Sequence, residues 1–189
     1  MKRNHGNTLN EKIISLLLTG VFLSNPFALA EAPILPDTKA PGSRQPLVQE
    51  TANGIPLVNI AAPSAGGVSR NDYERFNVPE RGAVLNNSYT LSQTQLAGYV
   101  QGNANMAQGP AKIIVNQVTS TNPTAMNGFL EVAGNKADVI IANPNGITVN
   151  GGGFINTARA ILTTGTPEYD SKERLKDLRI ENDATILVT

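Results

Sequence analysis

Catalytic chemistry in this chain would have to rely on carboxylates. The sequence has no cysteine, and its single histidine, His5, lies in a segment that we expect to be removed on export. The mature chain would then lack the residues for His-dependent and Cys-dependent triads and for the usual zinc sites. Glu131, Asp138 and Glu168 could act as acids or bases, but no two of them have a recognisable catalytic spacing. The residue types therefore argue against most enzyme classes, and no cofactor is predicted.

One enzymatic hypothesis remains, that of a polysaccharide-active β protein. In it, Asp138 or Glu131 would bind a cation, and Arg159 or Lys136 would act on the sugar. This hypothesis depends on residue types alone, because the spacing does not support it.

Turn chemistry is concentrated in VIIANPNGITVNGGGFINT, residues 139–157. Val139 to Ala142 read as a strand, followed by a tight corner. Pro144 would preset φ, Gly146 could take a positive φ, and the Asn143 side chain could bond its own backbone two residues on, at Asn145.

A second corner is predicted directly after the short strand that begins at Ile147. The three glycines Gly151, Gly152 and Gly153 would allow a left-handed conformation or a close approach of backbone. The chain then returns to a strand, so both corners are expected between consecutive strands.

Residues 1–30 have the pattern of a signal peptide. A basic start, an apolar core over 13–23 and the small-x-small sequence Ala28-Leu29-Ala30 indicate export, although an uncleaved N-terminal anchor is the alternative. Cleavage after Ala30 would leave 12 of 15 basic and 14 of 15 acidic side chains. A surface so close to neutral does not favour a nucleic acid or an anionic membrane as partner.

The mature chain is predicted to be all-β. Residues 31–52 are a Pro-rich leader, and PILPDTKAPGSRQP (33–46) is expected to be extended with no packed structure of its own. Short β-rich runs separated by Gly, Asn, Pro and Ser follow it, and none keeps a helical period. The runs are IPLVNI, RFNV, AVLNN, KIIVNQV, GFLEVAG, ADVIIAN, GITVN, GFIN and ARAILTT.

Two β architectures fit these runs. KIIVNQV and DVIIAN contain adjacent apolar residues, as strands covered on both faces do. The sequence also contains 21 asparagines, whose amides can form ladders between stacked turns of a coil of rungs. An antiparallel sandwich or barrel with Asn-rich loops stays open on this evidence.

An ordered series of motifs resembles a known family. The series is LNNS (85–88), LSQTQLAGYVQGN (91–103), EVAG (131–134), ANPNGITVNGGGFINT (142–157) and LTTG (162–165). From Asn53 to Pro167 the chain is similar to the N-terminal secretion (TPS) domain of two-partner secretion exoproteins, of the filamentous haemagglutinin and contact-dependent growth inhibition type.

The resemblance implies a right-handed parallel β-helix with an N-terminal cap. In agreement with the residue types, no enzymatic activity is predicted. It also implies passage through Sec to the periplasm and recognition there by an outer-membrane Omp85-type transporter with POTRA domains. Export would leave the chain secreted or on the cell surface. The family's secretion motif matches Asn143, Pro144, Asn145, Gly146 and Ile147, which would be a recognition signal or only a structural corner.

A second family motif is degenerate in this chain. The matching positions are Asn103, Ala104, Asn105 and Met106, where both asparagines are kept and the proline is replaced. We expect the turn to be retained with a looser corner.

After Pro167 the sequence leaves the family pattern. Residues 168–189 form a divergent charged tail, in which Glu168 to Arg179 is expected to be a solvated loop or helical excursion and 184–188 one last strand. The β-helix would be incomplete at this end and expose an unpaired edge, as in a short or truncated member of the family. The favoured function is secretion targeting, and the alternative is a stand-alone adhesin that binds a host or neighbouring cell surface.

Overall fold

Short strands that are far apart in the sequence pair in parallel to form the body of the molecule. The computed structural model describes residues 31–189. Among these residues, 3-10 turns lie at Gly42–Arg44 and Ala104–Met106. The strands are β1 (Ile34–Pro36), β2 (Leu47–Glu50), β3 (Pro56–Asn59), β4 (Val68–Phe76), β5 (Ala83–Asn87), β6 (Ser92–Thr94), β7 (Gly98–Val100), β8 (Ile113–Val118), β9 (Thr124–Met126), β10 (Phe129–Gly134), β11 (Asp138–Ala142), β12 (Ile147–Val149), β13 (Gly153–Ile155), β14 (Arg159–Thr163), β15 (Thr166–Tyr169), β16 (Leu175–Arg179) and β17 (Ile186–Val188).

In the described part of the chain, the sheets with three or more strands have the orders β1-β4-β8-β11-β14, β13-β10-β5-β3-β2 and β17-β12-β9. Successive turns of the chain stack on one another, so that β8 pairs with β11, β9 with β12 and β10 with β13. All the stacked pairs are parallel, except the two at the N-terminal edge. The fold is therefore a right-handed parallel β-helix, and the sandwich alternative is wrong.

The strands with adjacent apolar residues are covered on both faces, as the sequence predicts. In β8 and β11, Ile114 and Ile141 belong to the main core inside the β-helix. Their neighbours Val115 and Ile140 face the opposite side and form a second cluster. Because a strand alternates its side chains, an uninterrupted apolar run requires a cover on each face.

The Pro-rich leader differs from its prediction, because it packs as the N-terminal cap. Strand β1 pairs antiparallel with β4, and β2 pairs antiparallel with β3, while the Ile34 side chain is 2% exposed. The first strands of two sheets would otherwise present unpaired edges, which the leader covers. Pro36 is compatible with this role because an edge strand can omit an N–H donor.

The charged tail also differs from the predicted loop or helical excursion. Strands β15 and β16 form an antiparallel hairpin, and Tyr169, Leu175 and Leu178 cover the second apolar cluster. The charged side chains of β16, Lys176, Asp177 and Arg179, are exposed. The last predicted strand is confirmed, since β17 pairs in parallel with β12. In the described part of the chain no helix has the length and apolarity to span a membrane.

Candidate functional site

The corner after β11 is built around the buried side chain of Asn143. Its Nδ2 donates to the carbonyl oxygen of Asn122 and to Oγ1 of Thr124, both at 2.9 Å. Its Oδ1 accepts the backbone N–H of Asn145 at 2.9 Å, which is the bond two residues on that the sequence predicts. Asn143 thus closes its own turn and ties it to the rung beneath.

The other residues of this corner have different exposures. Asn145 is exposed, but its Nδ2 donates to the carbonyl oxygen of Ser120 at 2.7 Å. Gly146 has φ +103°, and its N–H donates to the carbonyl oxygen of Asn143 at 3.1 Å. Ile147 is 1% exposed and starts β12 in the core. Pro144 is half-buried, and its carbonyl oxygen accepts the side chain of Asn182 at 2.7 Å.

Residues that the sequence reasoning missed hold the corner from below and from the tail. Ser120, Asn122 and Thr124 supply the acceptors for the two asparagines, and Asn182 lies on the tail. The sequence did contain one indication of these partners. Asn122-Pro123 is a second turn-forming pair, about one rung before the corner.

The three glycines of the following corner serve the two purposes that were predicted for them. Gly151 has φ +69°, in the left-handed region. At Gly152 a Cβ would lie 2.8 Å from the carbonyl oxygen of Met126, and at Gly153 it would lie 2.7 Å from the ring of Phe129. The left-handed turn and the close approach therefore belong to different glycines of the run.

The degenerate motif forms a similar corner. Asn103 is 3% exposed, its Nδ2 donates to the carbonyl oxygens of Ile60 at 2.9 Å and Asn86 at 3.0 Å, and its Oδ1 accepts the N–H of Asn105 at 3.0 Å. The Asn105 side chain also donates to the Ile60 carbonyl oxygen. Met106, which is 1% exposed, joins the main core. The predicted turn is retained, and its hydrogen-bond lengths give no sign of the looser corner.

The two corners lie at different junctions and, within residues 31–189, have no hydrogen-bond partner in common. The secretion-motif corner connects β11 to β12, and the degenerate corner leads from the segment after β7 toward β8. None of their own side chains is titratable. Such sites can cap backbone, hold rungs together and present amide groups, but they cannot transfer protons.

The carboxylates considered for catalysis have structural contacts. Glu131 is 3% exposed, and its two oxygens accept the backbone N–H groups of Gln95 at 2.7 Å and Leu96 at 2.9 Å. This fixes the turn between β6 and β7, two strands that the sequence runs did not identify. Asp138 forms an ion pair with Arg159 on the neighbouring strand.

Glu168 pairs with Arg179 across the tail hairpin, at 3.1 Å between Oε1 and Nε. Lys136, the remaining residue of the enzymatic hypothesis, is exposed. Among residues 31–189 no group of three His, Cys, Asp or Glu side chains could hold a metal ion.

A charged cluster joins the cap, the first rung and the tail. Nε of Arg44 lies 3.2 Å from Oδ2 of Asp72, and the guanidinium of Arg70 stacks 3.7 Å from the ring centre of Tyr169. Burial raises the pKa of Asp72 despite the nearby arginines, and burial raises the pKa of Tyr169 to about 12. The leader, through Arg44, and the tail, through Tyr169, therefore both contact side chains of β4.

Comparisons with known proteins agree with the resemblance that the sequence motifs show. A family model described as the TPS secretion domain matches residues 32–189. The chain is 53% identical over 142 residues to a toxin CdiA of Yersinia pestis, a match that covers 75% of this chain and 4% of the relative. It is 45% identical over 165 residues to a 16S rRNA endonuclease CdiA of Enterobacter cloacae, covering 84% and 5% of the two chains.

A solved structure agrees with the observed fold. The crystal structure of a filamentous hemagglutinin secretion domain superposes with a TM-score of 0.74 at 38% sequence identity, covering 83% of this chain and 50% of that one. The chain thus spans about half of the solved relative and about one twentieth of the CdiA relatives.

Proposed function

Because the chain belongs to the TPS secretion-domain family, we propose that it targets a haemagglutinin-like or CdiA-like exoprotein for secretion. The observation that carries the proposal is the extent of the family match. Residues 32–189 include the cap, the three sheets and the tail hairpin. The proposed secretion unit is then the whole β-helix, within which the secretion motif is one corner.

The proposed route has two membrane steps. Sec carries the chain to the periplasm, where residues 1–30 are removed, and an outer-membrane Omp85-type transporter recognises the domain through its POTRA domains. Export through the transporter's barrel leaves the protein secreted or attached to the cell surface. The signal-peptide pattern supports the first step, and family membership supports the partner transporter.

Within the secretion motif, we assign folding and recognition to different residues. Asn143, Gly146 and Ile147 are buried, and their contacts are internal to the β-helix. Pro144 and Asn145 are the accessible members, and Oδ1 of Asn145 accepts no hydrogen bond from the described residues. A transporter would therefore read Pro144 and Asn145, while the other three residues keep them in place.

The proposed role is binding without catalysis. The nuclease activities named for CdiA relatives are those of proteins of which this chain spans about one twentieth. Glu131 and Asp138 are engaged in structural contacts here. Within residues 31–189 no structural feature favours the stand-alone adhesin, so cell-surface binding is not proposed for them.

The test is a secretion assay of the full chain with and without its cognate transporter. It compares the wild type with Asn145→Ala and with the matched variant Asn105→Ala, whose exposed amide makes an equivalent bond to the chain. We expect transporter-dependent release of the wild type, a fall for Asn145→Ala and a smaller fall for Asn105→Ala. Thermal unfolding of each purified variant separates recognition from folding.

Two results would contradict the proposal at different levels. Retention of the wild type in the periplasm, with a transporter verified on another substrate, would overturn secretion targeting. Equal losses of release and of stability in the two variants would leave secretion targeting intact and make the Asn145 corner purely structural.

A further inference from the structure

The sequence contains four Asn-Gly steps, at Asn53, Asn127, Asn145 and Asn150. At such a step the backbone nitrogen of the glycine can attack Cγ of the asparagine side chain, since no Cβ hinders its approach. The new N–Cγ bond forms as the Cγ–Nδ2 bond breaks, and the leaving amide nitrogen takes up the proton of the glycine N–H and departs as ammonia. Water then opens the cyclic imide to aspartate or isoaspartate, so the reaction needs no other reactant.

We propose that Asn150 is the deamidation site of the folded chain. Asn150 and Gly151 are both exposed, and within residues 31–189 the N–H of Gly151 donates to no acceptor. Nδ2 of Asn150 likewise has no acceptor there, and Oδ1 receives only the Thr189 hydroxyl at 3.3 Å. No atom lies within 4 Å of the position of a Cβ on Gly151. Both reacting groups are therefore free to meet.

The step at Asn145 is protected by its corner. The N–H of Gly146 donates to the carbonyl oxygen of Asn143, and Nδ2 of Asn145 donates to Ser120 and to Oδ1 of Asn143. Attack would require the nitrogen to give up its hydrogen bond and the amide to leave both acceptors. The glycine nitrogen and the asparagine amide are thus kept apart by hydrogen bonds in this corner, whereas in the next corner they are free to react.

The step at Asn53 is held in a comparable way. The N–H of Gly54 donates to the carbonyl oxygen of Thr51 at 2.8 Å, and Nδ2 of Asn53 donates to the carbonyl oxygen of Leu96 at 2.9 Å. Asn53 is therefore a second protected control in the same chain.

The step at Asn127 is hindered by packing. Its side chain is exposed and makes no hydrogen bond to the described residues, but Gly128 is buried. A Cβ at Gly128 would lie 2.2 Å from the carbonyl oxygen of Pro79 and 2.7 Å from that of Glu80. The glycine is pressed against backbone that cannot move easily, and this restricts ring closure and access of water. Asn127 should convert more slowly than Asn150.

Conversion at Asn150 would change the corner between β12 and β13. Isoaspartate adds a methylene to the main chain and a carboxylate beside Thr189, whose N–H donates to the carbonyl oxygen of Val149 at 2.9 Å. The reaction would mark the age of exported molecules at one defined position.

The experiment incubates the purified full chain in mildly alkaline buffer at physiological temperature. Peptide mass spectrometry follows amide-to-acid conversion at each of the four steps, and isoaspartyl methyltransferase labelling identifies the isomer. We expect Asn150 to convert faster than Asn145 and Asn53 by about tenfold or more, the factor associated with the hydrogen bonds those steps must break. In concentrated urea the four rates should converge, because the local sequences are alike.

Asn150→Gln is the control, because its longer side chain disfavours the ring closure, and it should abolish the fast reaction without changing the other three sites. Conversion of any other Asn-Gly step at the rate of Asn150 in the folded chain would overturn the proposal. So would a fast reaction that persists in Asn150→Gln.

Discussion

The corners Asn103–Met106 and Asn143–Gly146 have the same asparagine frame and different fourth residues. In both, the first asparagine is buried and accepts the N–H two residues on, at 3.0 and 2.9 Å. The fourth residue is a core side chain, Met106, in one corner, and a glycine with φ +103° in the other. The frame is thus sufficient for the turn, and the fourth residue decides the path of the chain beyond the turn.

The difference has a geometric cause. After Gly146 the chain enters β12 directly. The side chain that anchors this corner in the core, its apolar anchor, belongs to the next residue, Ile147. Met106 ends a 3-10 turn and supplies the anchor itself, so no strand begins directly after it. A proline at the second position is compatible with either course, because it only presets φ.

The largest expected effect is on the two apolar anchors. Met106→Ala and Ile147→Ala should each lower the free energy of unfolding by about 2–5 kcal/mol, because each leaves a cavity in the core. Urea unfolding of the purified variants measures this. A loss below about 1 kcal/mol at either position would show that its corner is not anchored as described.

Removal of the framing asparagines is expected to cost nearly as much. Asn103→Ala and Asn143→Ala should each destabilise by about 2–3 kcal/mol, because buried acceptors and a backbone N–H lose their partners. Asn135→Ala, at an exposed side chain with no hydrogen bond to the described residues, should change stability by less than about 0.5 kcal/mol. Unequal losses of stability for Asn103→Ala and Asn143→Ala would show that the two asparagines do not have equivalent roles in their corners.

A smaller loss of stability is expected from a side chain at Gly146, the fourth residue of the secretion-motif corner. Gly146→Ala should cost about 1–3 kcal/mol, because a side chain is strained at φ +103°. Gly42→Ala is the matched control, since nothing lies within 4 Å of its Cβ position and its φ is not positive. The control should be neutral or slightly stabilising. Thermal unfolding of both variants is the measurement, and equal effects would contradict the proposed cause.

The smallest change in stability is expected at the second residue of each corner, which is Ala104 in one corner and Pro144 in the other. Ala104→Pro should stabilise the chain by about 0.4–1 kcal/mol, and Pro144→Ala should destabilise it by a similar amount. Ala104 is the first residue of its 3-10 turn, its N–H has no acceptor among the described residues, and Asn103 before it is extended. Destabilisation by Ala104→Pro, measured in urea, would mean that the two corners differ in backbone conformation at their second residue.

Much of the β-helix could be predicted, because strands and turns are indicated by residues that are close together in the sequence. The alternation of β runs and turns located β8, β10, β11, β12, β13 and β14 to within about two residues at each end. The hydrogen bond within the corner at Asn143 followed from residue type and spacing. The predictions of an unpacked leader and of a loop or helical excursion over 168–179 were wrong, since Ile34, Leu175 and Leu178 pack against residues that are distant in the sequence.

The sequence by itself determined that the chain is made of short strands and asparagine corners, because turn geometry depends on neighbouring residues. Only the tertiary structure decided which residues complete those corners. Asn143 bonds to the preceding rung, and Asn103 bonds to residues 17 and 43 positions away. The tertiary structure likewise made the leader a cap and the tail a cover. These pairings depend on the stacking register of the rungs, which no local stretch of sequence specifies.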